Sequence, residues 1–109
     1  MMKYLSFIET PLFSRDRHSV MEEDEFQELQ SYLLEHHEHG YVIAGTGGCQ
    51  KIRWSRRNVV GKRGGIRVIY YVRLCSEKIY LLMVYPKNVK DDLTEKEKQA
   101  IAKVIHTLR

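Results

Sequence analysis

Between residues 39 and 76 the chain has no aspartate and no glutamate, yet eight lysines and arginines fall there. So long a gap in one sign of charge is not the interspersed pattern that solubility alone would need. It leaves a field suited to an anion. Other scarcities narrow the class further. Two prolines and seven glycines in 109 residues exclude a collagen-like or low-complexity chain. Two cysteines, Cys49 and Cys75, stand far apart and form no C-x-x-C. They read as reduced thiols of a cytoplasmic protein, not as a disulfide framework. No apolar run reaches the length of a transmembrane helix, so no membrane is expected as a partner. The apolar patch within residues 1–9 is too short for a signal peptide and has no small-residue cleavage site. The length suffices for one domain, residues 1–109, with a core that needs no metal or disulfide staple.

What is present is unevenly placed. Residues 1–38 hold nine carboxylates against three cations, and residues 77–109 hold seven cations against five carboxylates. The cations of the acid-free middle are Lys51, Arg53, Arg56, Arg57, Lys62, Arg63, Arg67 and Arg73. Pairing with the acidic first third inside the fold would occupy some of them but not all.

Local signals give the order of elements. Residues 3–9 read as a strand. Thr10 then caps a helix with Pro11 at its first position, where the missing N–H costs nothing. Ser19, three residues ahead of Glu22, predicts a capping box. The helix it opens carries Phe26, Leu29 and Leu33 on one face, and Gly40 stops it. Tyr41, Val42 and Ile43 form a short extended piece. Lys51-Ile52-Arg53-Trp54 alternates as a half-buried strand does. Residues 66–72 and 79–85 are apolar almost throughout, which suits central strands covered on both faces. Residues 74–78 are their turn, and Pro86 ends the last strand. Thr94 and Glu97 form a second capping box before a helix with Ile101, Val104, Ile105 and Leu108 on one side. The expected fold is a small α+β domain, antiparallel in its second half.

Three constellations could carry chemistry. Gly45-Thr46-Gly47-Gly48-Cys49-Gln50-Lys51 superficially suggests a phosphate loop. A true one needs glycine before the lysine, serine or threonine after it, and then a helix. Here Gln50 precedes Lys51, Ile52 follows, and the next segment alternates like a strand, so nucleotide binding of that kind is rejected. The glycines read instead as permitting a tight turn. His36 and His39 would share a helix face and could ligate a metal. No carboxylate or cysteine was seen to complete that set, and a solvated helix end is the preferred reading, with no metal and no cofactor expected.

The third constellation is the basic set. Lys51 and Arg53, two apart on a strand, point one way while Ile52 and Trp54 point the other. If a hairpin joins this strand to the next, Arg67 converges with them, and Lys62 and Arg63 sit above in the connection. Arginine forks match phosphate oxygens, and lysine supplies a point charge. Trp54, Tyr70, Tyr71 and Tyr85 could stack on bases of single-stranded RNA, although Trp54 and Tyr70 read better as core.

The ordered set GTGG-x2-KIRW, GKRGG-x-RVIYY and YLLMVYPKN-x3-DLT resembles the RelE/HigB-type toxins of bacterial type II toxin–antitoxin modules, within the RelE/ParE superfamily. The resemblance covers most of the chain and is densest over residues 45–94. It implies a RelE-like fold: an N-terminal strand and helices, then a curved antiparallel sheet and a C-terminal helix. It also implies a ribosome-dependent, metal-independent endoribonuclease that cuts mRNA, silenced by a cognate, DNA-binding, HigA-like antitoxin. Lys51 and Arg53 match the family's basic pair, and Arg67 matches its arginine in the next strand. These three are the expected catalytic residues. Lys87 falls near a further basic position and, with Arg56, Arg57, Lys62 and Arg63, is expected to bind RNA or the ribosome. Asn88 stands where some members have arginine, and no tyrosine occurs in residues 89–94. Metal-free RNA cleavage needs a base for the 2′-hydroxyl, charge stabilisation at phosphorus and a proton for the leaving oxygen. Lys51, surrounded by like charge, is the expected base. A non-catalytic toxin acting on another target such as gyrase, or an RNA-binding module, would share the fold.

Overall fold

The computed structural model describes residues 5–55, 65–90 and 92–108. Strand β1 (Ser6–Glu9) leads into helices α1 (Pro11–Val20) and α2 (Glu23–His36), and a 3₁₀ turn (His37–His39) follows. Strands β2 (Tyr41–Val42), β3 (Gln50–Ser55), β4 (Gly65–Arg73) and β5 (Lys78–Pro86) come next, then helix α3 (Glu95–Leu108). The architecture is α+β, with a five-stranded sheet ordered β1-β5-β4-β3-β2.

Two of the three predicted helix starts form as read. The Thr10 hydroxyl accepts from the Phe13 N–H at 3.0 Å, with Pro11 at the first position. Thr94 and Glu97 bond reciprocally: Thr94 N–H donates to Glu97 Oε1 at 2.9 Å and Glu97 N–H to Thr94 Oγ1 at 3.1 Å. The Ser19–Glu22 box does not form. Ser19 lies inside α1 and its hydroxyl donates to Asp16 O at 2.9 Å. The chain turns extended only at Met21, and Glu22 caps α2 with no side-chain hydrogen bond. A cap residue must be non-helical to reach back to the N3 amide, and α1 keeps Ser19 helical.

The sheet is not antiparallel throughout. β2, β3, β4 and β5 pair antiparallel, but β1 adds to the outer edge of β5 in parallel, Phe7 opposite Ile79. The two helices after β1 pack on one face of the sheet before the chain rejoins it at the far edge in β2. Thr10 ties the exit of β1 to the same strand, its N–H donating to Leu81 O and its hydroxyl to Leu82 O.

The central strands are covered on both faces, as their continuous apolar runs predict. On one face Phe13, Phe26, Leu29 and Leu33 pack on Ile52, Ile66, Val68, Tyr70, Ile79, Leu81 and Val84. On the other, Ile101 and Ile105 of α3 pack with Cys49, Ile69, Tyr71, Leu82, Tyr85 and Leu93. Val104, expected on the buried face of α3, is 45% exposed. Gly40 stops the 3₁₀ turn at ordinary negative φ. Its need for glycine is steric, because a Cβ there would overlap the Tyr70 hydroxyl. No helix among the described residues is long and apolar enough to cross a membrane.

Candidate functional site

The loop between β2 and β3 sets the register of the site. Gly45, Gly47 and Gly48 take positive φ, the conformation glycine adopts without penalty. Between them Thr46 is fully buried, donating to Ile43 O at 2.6 Å and accepting from Cys49 N–H at 3.1 Å. Tyr41 thereby lies directly opposite Lys51. On the other side of β3, Arg53 lies directly opposite Arg67 of β4. Directly opposed residues share a face, so Tyr41, Lys51, Arg53 and Arg67 stand together, as the hairpin reading of the cations required. They and Ile52 line a cavity of about 340 Å³.

This cluster occupies the face on which α3 packs, beyond the apolar patch formed with Ile101 and Ile105. Two arginines in direct register repel, and like charges directly opposite destabilise a sheet. Arg67 adds a second cost: its Nη1 is buried and has no hydrogen-bond partner among the described residues. An oxyanion entering the cavity would relieve both costs, since guanidinium groups bind oxyanions with charge-assisted hydrogen bonds.

Lys51 is not surrounded by cations alone, contrary to the expectation that made it the base. Its Nζ donates to Asp92 Oδ1 at 2.9 Å. That hydrogen bond, with the Lys51 charge, holds the Asp92 carboxyl below its ordinary range. Lys51 and Asp92 also line an adjoining cavity of about 250 Å³ with Tyr85, Leu93 and Lys98. Held in that salt bridge, Lys51 offers its Nζ hydrogens for hydrogen bonds to whatever binds beside it.

The predicted stacking aromatics are mostly core. Tyr70 is fully buried and its hydroxyl donates to His37 O at 2.6 Å, while Tyr71 and Tyr85 are nearly buried. Trp54 packs on Tyr32, with ring centroids 5.7 Å apart, and its Nε1–H donates to Glu25 Oε2 at 3.2 Å. Tyr85 sits opposite Arg67 with Lys90 over its ring. Burial pushes its phenol up to about 12 against the pull of Arg67, so it is no base at neutral pH. The exposed aromatic lining the cavity beside the cations is Tyr41, 75% exposed and not singled out from the sequence.

Lys87 lies at the same end of the sheet as Arg67, its N–H donating to Gly65 O at 3.1 Å, and does not line the 340 Å³ cavity. Arg56, Arg57, Lys62 and Arg63 lie outside the described residues. Cys49 is buried, its thiol pushed up to about 12 by burial, and has no part in the site. No family model matches the chain.

Proposed function

We propose that the cationic face holds the RNA backbone and that the chain is the toxin of a type II toxin–antitoxin module, a ribosome-dependent mRNA endoribonuclease of the RelE/HigB type. The observation that carries this reading is the direct register of Arg53 with Arg67 beside Lys51 and exposed Tyr41, around one open cavity. A protein does not gain stability by opposing two arginines. It gains a phosphate fork. Phosphate contacts position a nucleic acid, and an aromatic beside them gives a base somewhere to stack.

In this mechanism Arg53 and Arg67 take the non-bridging oxygens of the scissile phosphate and stabilise the charge that builds there. Lys51, held by Asp92 in the resting chain, turns to the substrate and protonates the leaving 5′-oxygen. This assigns Lys51 the acid's role instead of the base's. The proton of the 2′-hydroxyl and the in-line geometry are left to the ribosomal decoding site, which positions the mRNA. Lys87, with Arg56, Arg57, Lys62 and Arg63, would hold flanking RNA. The partners are the ribosome, mRNA and a cognate HigA-like DNA-binding antitoxin in the cytoplasm, and no cofactor is invoked.

The test is expression from a tightly repressed promoter, wild type beside Arg67→Ala, with growth followed and mRNA 5′ ends mapped. Wild type is expected to arrest growth and create codon-phased ends, and Arg67→Ala to do neither. Arrest without new ends would move the target elsewhere, to gyrase or another protein. Full toxicity of both Lys51→Ala and Arg67→Ala would end the nuclease reading.

A further inference from the structure

The histidines at the end of α2 and in the turn after it lie close together. A 3₁₀ turn eclipses residues three apart, and here it stacks the rings of His36 and His39, centroids 5.0 Å apart and planes at 28°. The intervening Glu38 folds back, its Oε1 3.7 Å from His39 Nε2. One donor atom from each of His36, Glu38 and His39 falls within 4.8 Å of the other two. The carboxylate judged missing from the sequence is therefore supplied by the turn itself. We propose that His36, Glu38 and His39 form a binding site for Zn²⁺ or a neighbouring divalent transition ion, with water at the remaining positions.

Three features argue for it. Two imidazoles and one carboxylate suit zinc chemistry and offer too few oxygens for calcium. The backbone carrying them is fixed: the Tyr70 hydroxyl donates to His37 O at 2.6 Å, and Gln50 Nε2 donates to Gly40 O at 3.2 Å. His37 sets its Nδ1 3.1 Å from Leu33 O and its Nε2 3.8 Å from the other Glu38 oxygen, and Tyr32 flanks the His36 ring at 5.0 Å. Closing the donors to the separation that zinc bonds of about 2.1 Å allow, roughly 3.4 Å, takes only side-chain rotation. The side chains are free enough for that, at 41% exposure for His36, 60% for Glu38 and 59% for His39. A bound ion would clamp the end of α2 to the turn that delivers Tyr41.

The experiment is calorimetric titration of ZnCl₂ into the full chain without an affinity tag, with thermal unfolding measured with and without the ion. Wild type is expected to bind one Zn²⁺ and to unfold at higher temperature in its presence. His36→Ala and His39→Ala are each expected to weaken binding at least about tenfold, while His106→Ala, on exposed α3 surface, leaves it unchanged. Absence of binding up to ~1 mM Zn²⁺, or binding that His36→Ala and His39→Ala do not weaken, overturns the proposal. Equal weakening by His106→Ala would mean scattered histidine binding and overturns it too.

Discussion

Replacing Arg67 by methionine should make the protein more stable and unable to bind phosphate. Methionine keeps an unbranched apolar stem of similar reach and removes the guanidinium. Two costs disappear. A buried polar nitrogen without a partner, as Arg67 Nη1 is among the described residues, costs about 1–3 kcal/mol. Direct opposition to Arg53 costs about 0.2–1 kcal/mol and is reduced by screening at ordinary salt. Taking the lower part of each range, Arg67→Met gains about 1–2 kcal/mol, or about 4–8 °C in Tm for a domain of this size. The assay is thermal unfolding in chloride buffer and again with inorganic phosphate. A ligand bound only by the folded chain raises stability by about 2.7 kcal/mol at a hundred times its Kd. Wild type should therefore gain with phosphate, and Arg67→Met should start higher and gain nothing. If Arg67→Met melts below wild type in chloride, the partnerless nitrogen is not the cost argued here. If it keeps the phosphate gain, Arg53 and Arg67 are not the anion site.

Asp92→Asn frees Lys51 for an incoming anion. Binding of a single-stranded RNA oligonucleotide should tighten at neutral pH and its salt slope should steepen by up to ~1; titrations at several salt concentrations measure both. The folded-state pKa of Asp92 is lowered by Lys51, so its contribution to stability is present above the ordinary carboxylate pKa and is lost as pH falls through the folded value. Asp92→Asn should remove that acid-side part of the stability profile and leave its alkaline side alone. Tyr41→Ala should weaken oligonucleotide binding by about 1–3 kcal/mol while Tyr41→Phe keeps it, with Tm unchanged because the ring is exposed. Gly40→Ala should destabilise by about 1–3 kcal/mol, since the new methyl meets the Tyr70 hydroxyl, and denaturant unfolding would register it.

The local chemistry of this chain was legible, and its long-range pairing was not. Thr10-Pro11 and Thr94-Glu97 specify helix starts within four residues, and both form. The alternation of residues 51–54 put Lys51 and Arg53 on one face, and the hairpin reading that would bring Arg67 to them agrees with the register. The parallel addition of β1 to β5 joins residues about seventy positions apart, as Phe7 opposite Ile79 illustrates, and no local pattern encodes it. Asp92 reaches Lys51 across 41 positions, so the counter-ion of Lys51 was invisible in a charge count by segment. Tyr41 was hidden for a different reason. A two-residue edge strand is too short to show periodicity, and only its pairing with β3 gives its side chain a direction.

One irregularity in β5 completes the site. Ile79 and Leu81 face the core under α1 and α2, and strict alternation would send Met83 and Tyr85 there as well. The register shifts instead: Tyr70 pairs with Leu81 and Ile69 with Met83, leaving Leu82 as an extra residue. Beyond that bulge the phase is reversed, so Val84 joins the α1/α2 core and Tyr85 the opposite cluster. A bulge re-aims every side chain after it, and here the result is a tyrosine, not a valine, on the face of Arg67, its register partner. The aromatic wall behind the arginine thus depends on one additional residue, Leu82, three positions before Tyr85. With α3 covering the apolar part of that face, the described cations Lys51, Arg53 and Arg67 cluster beyond it.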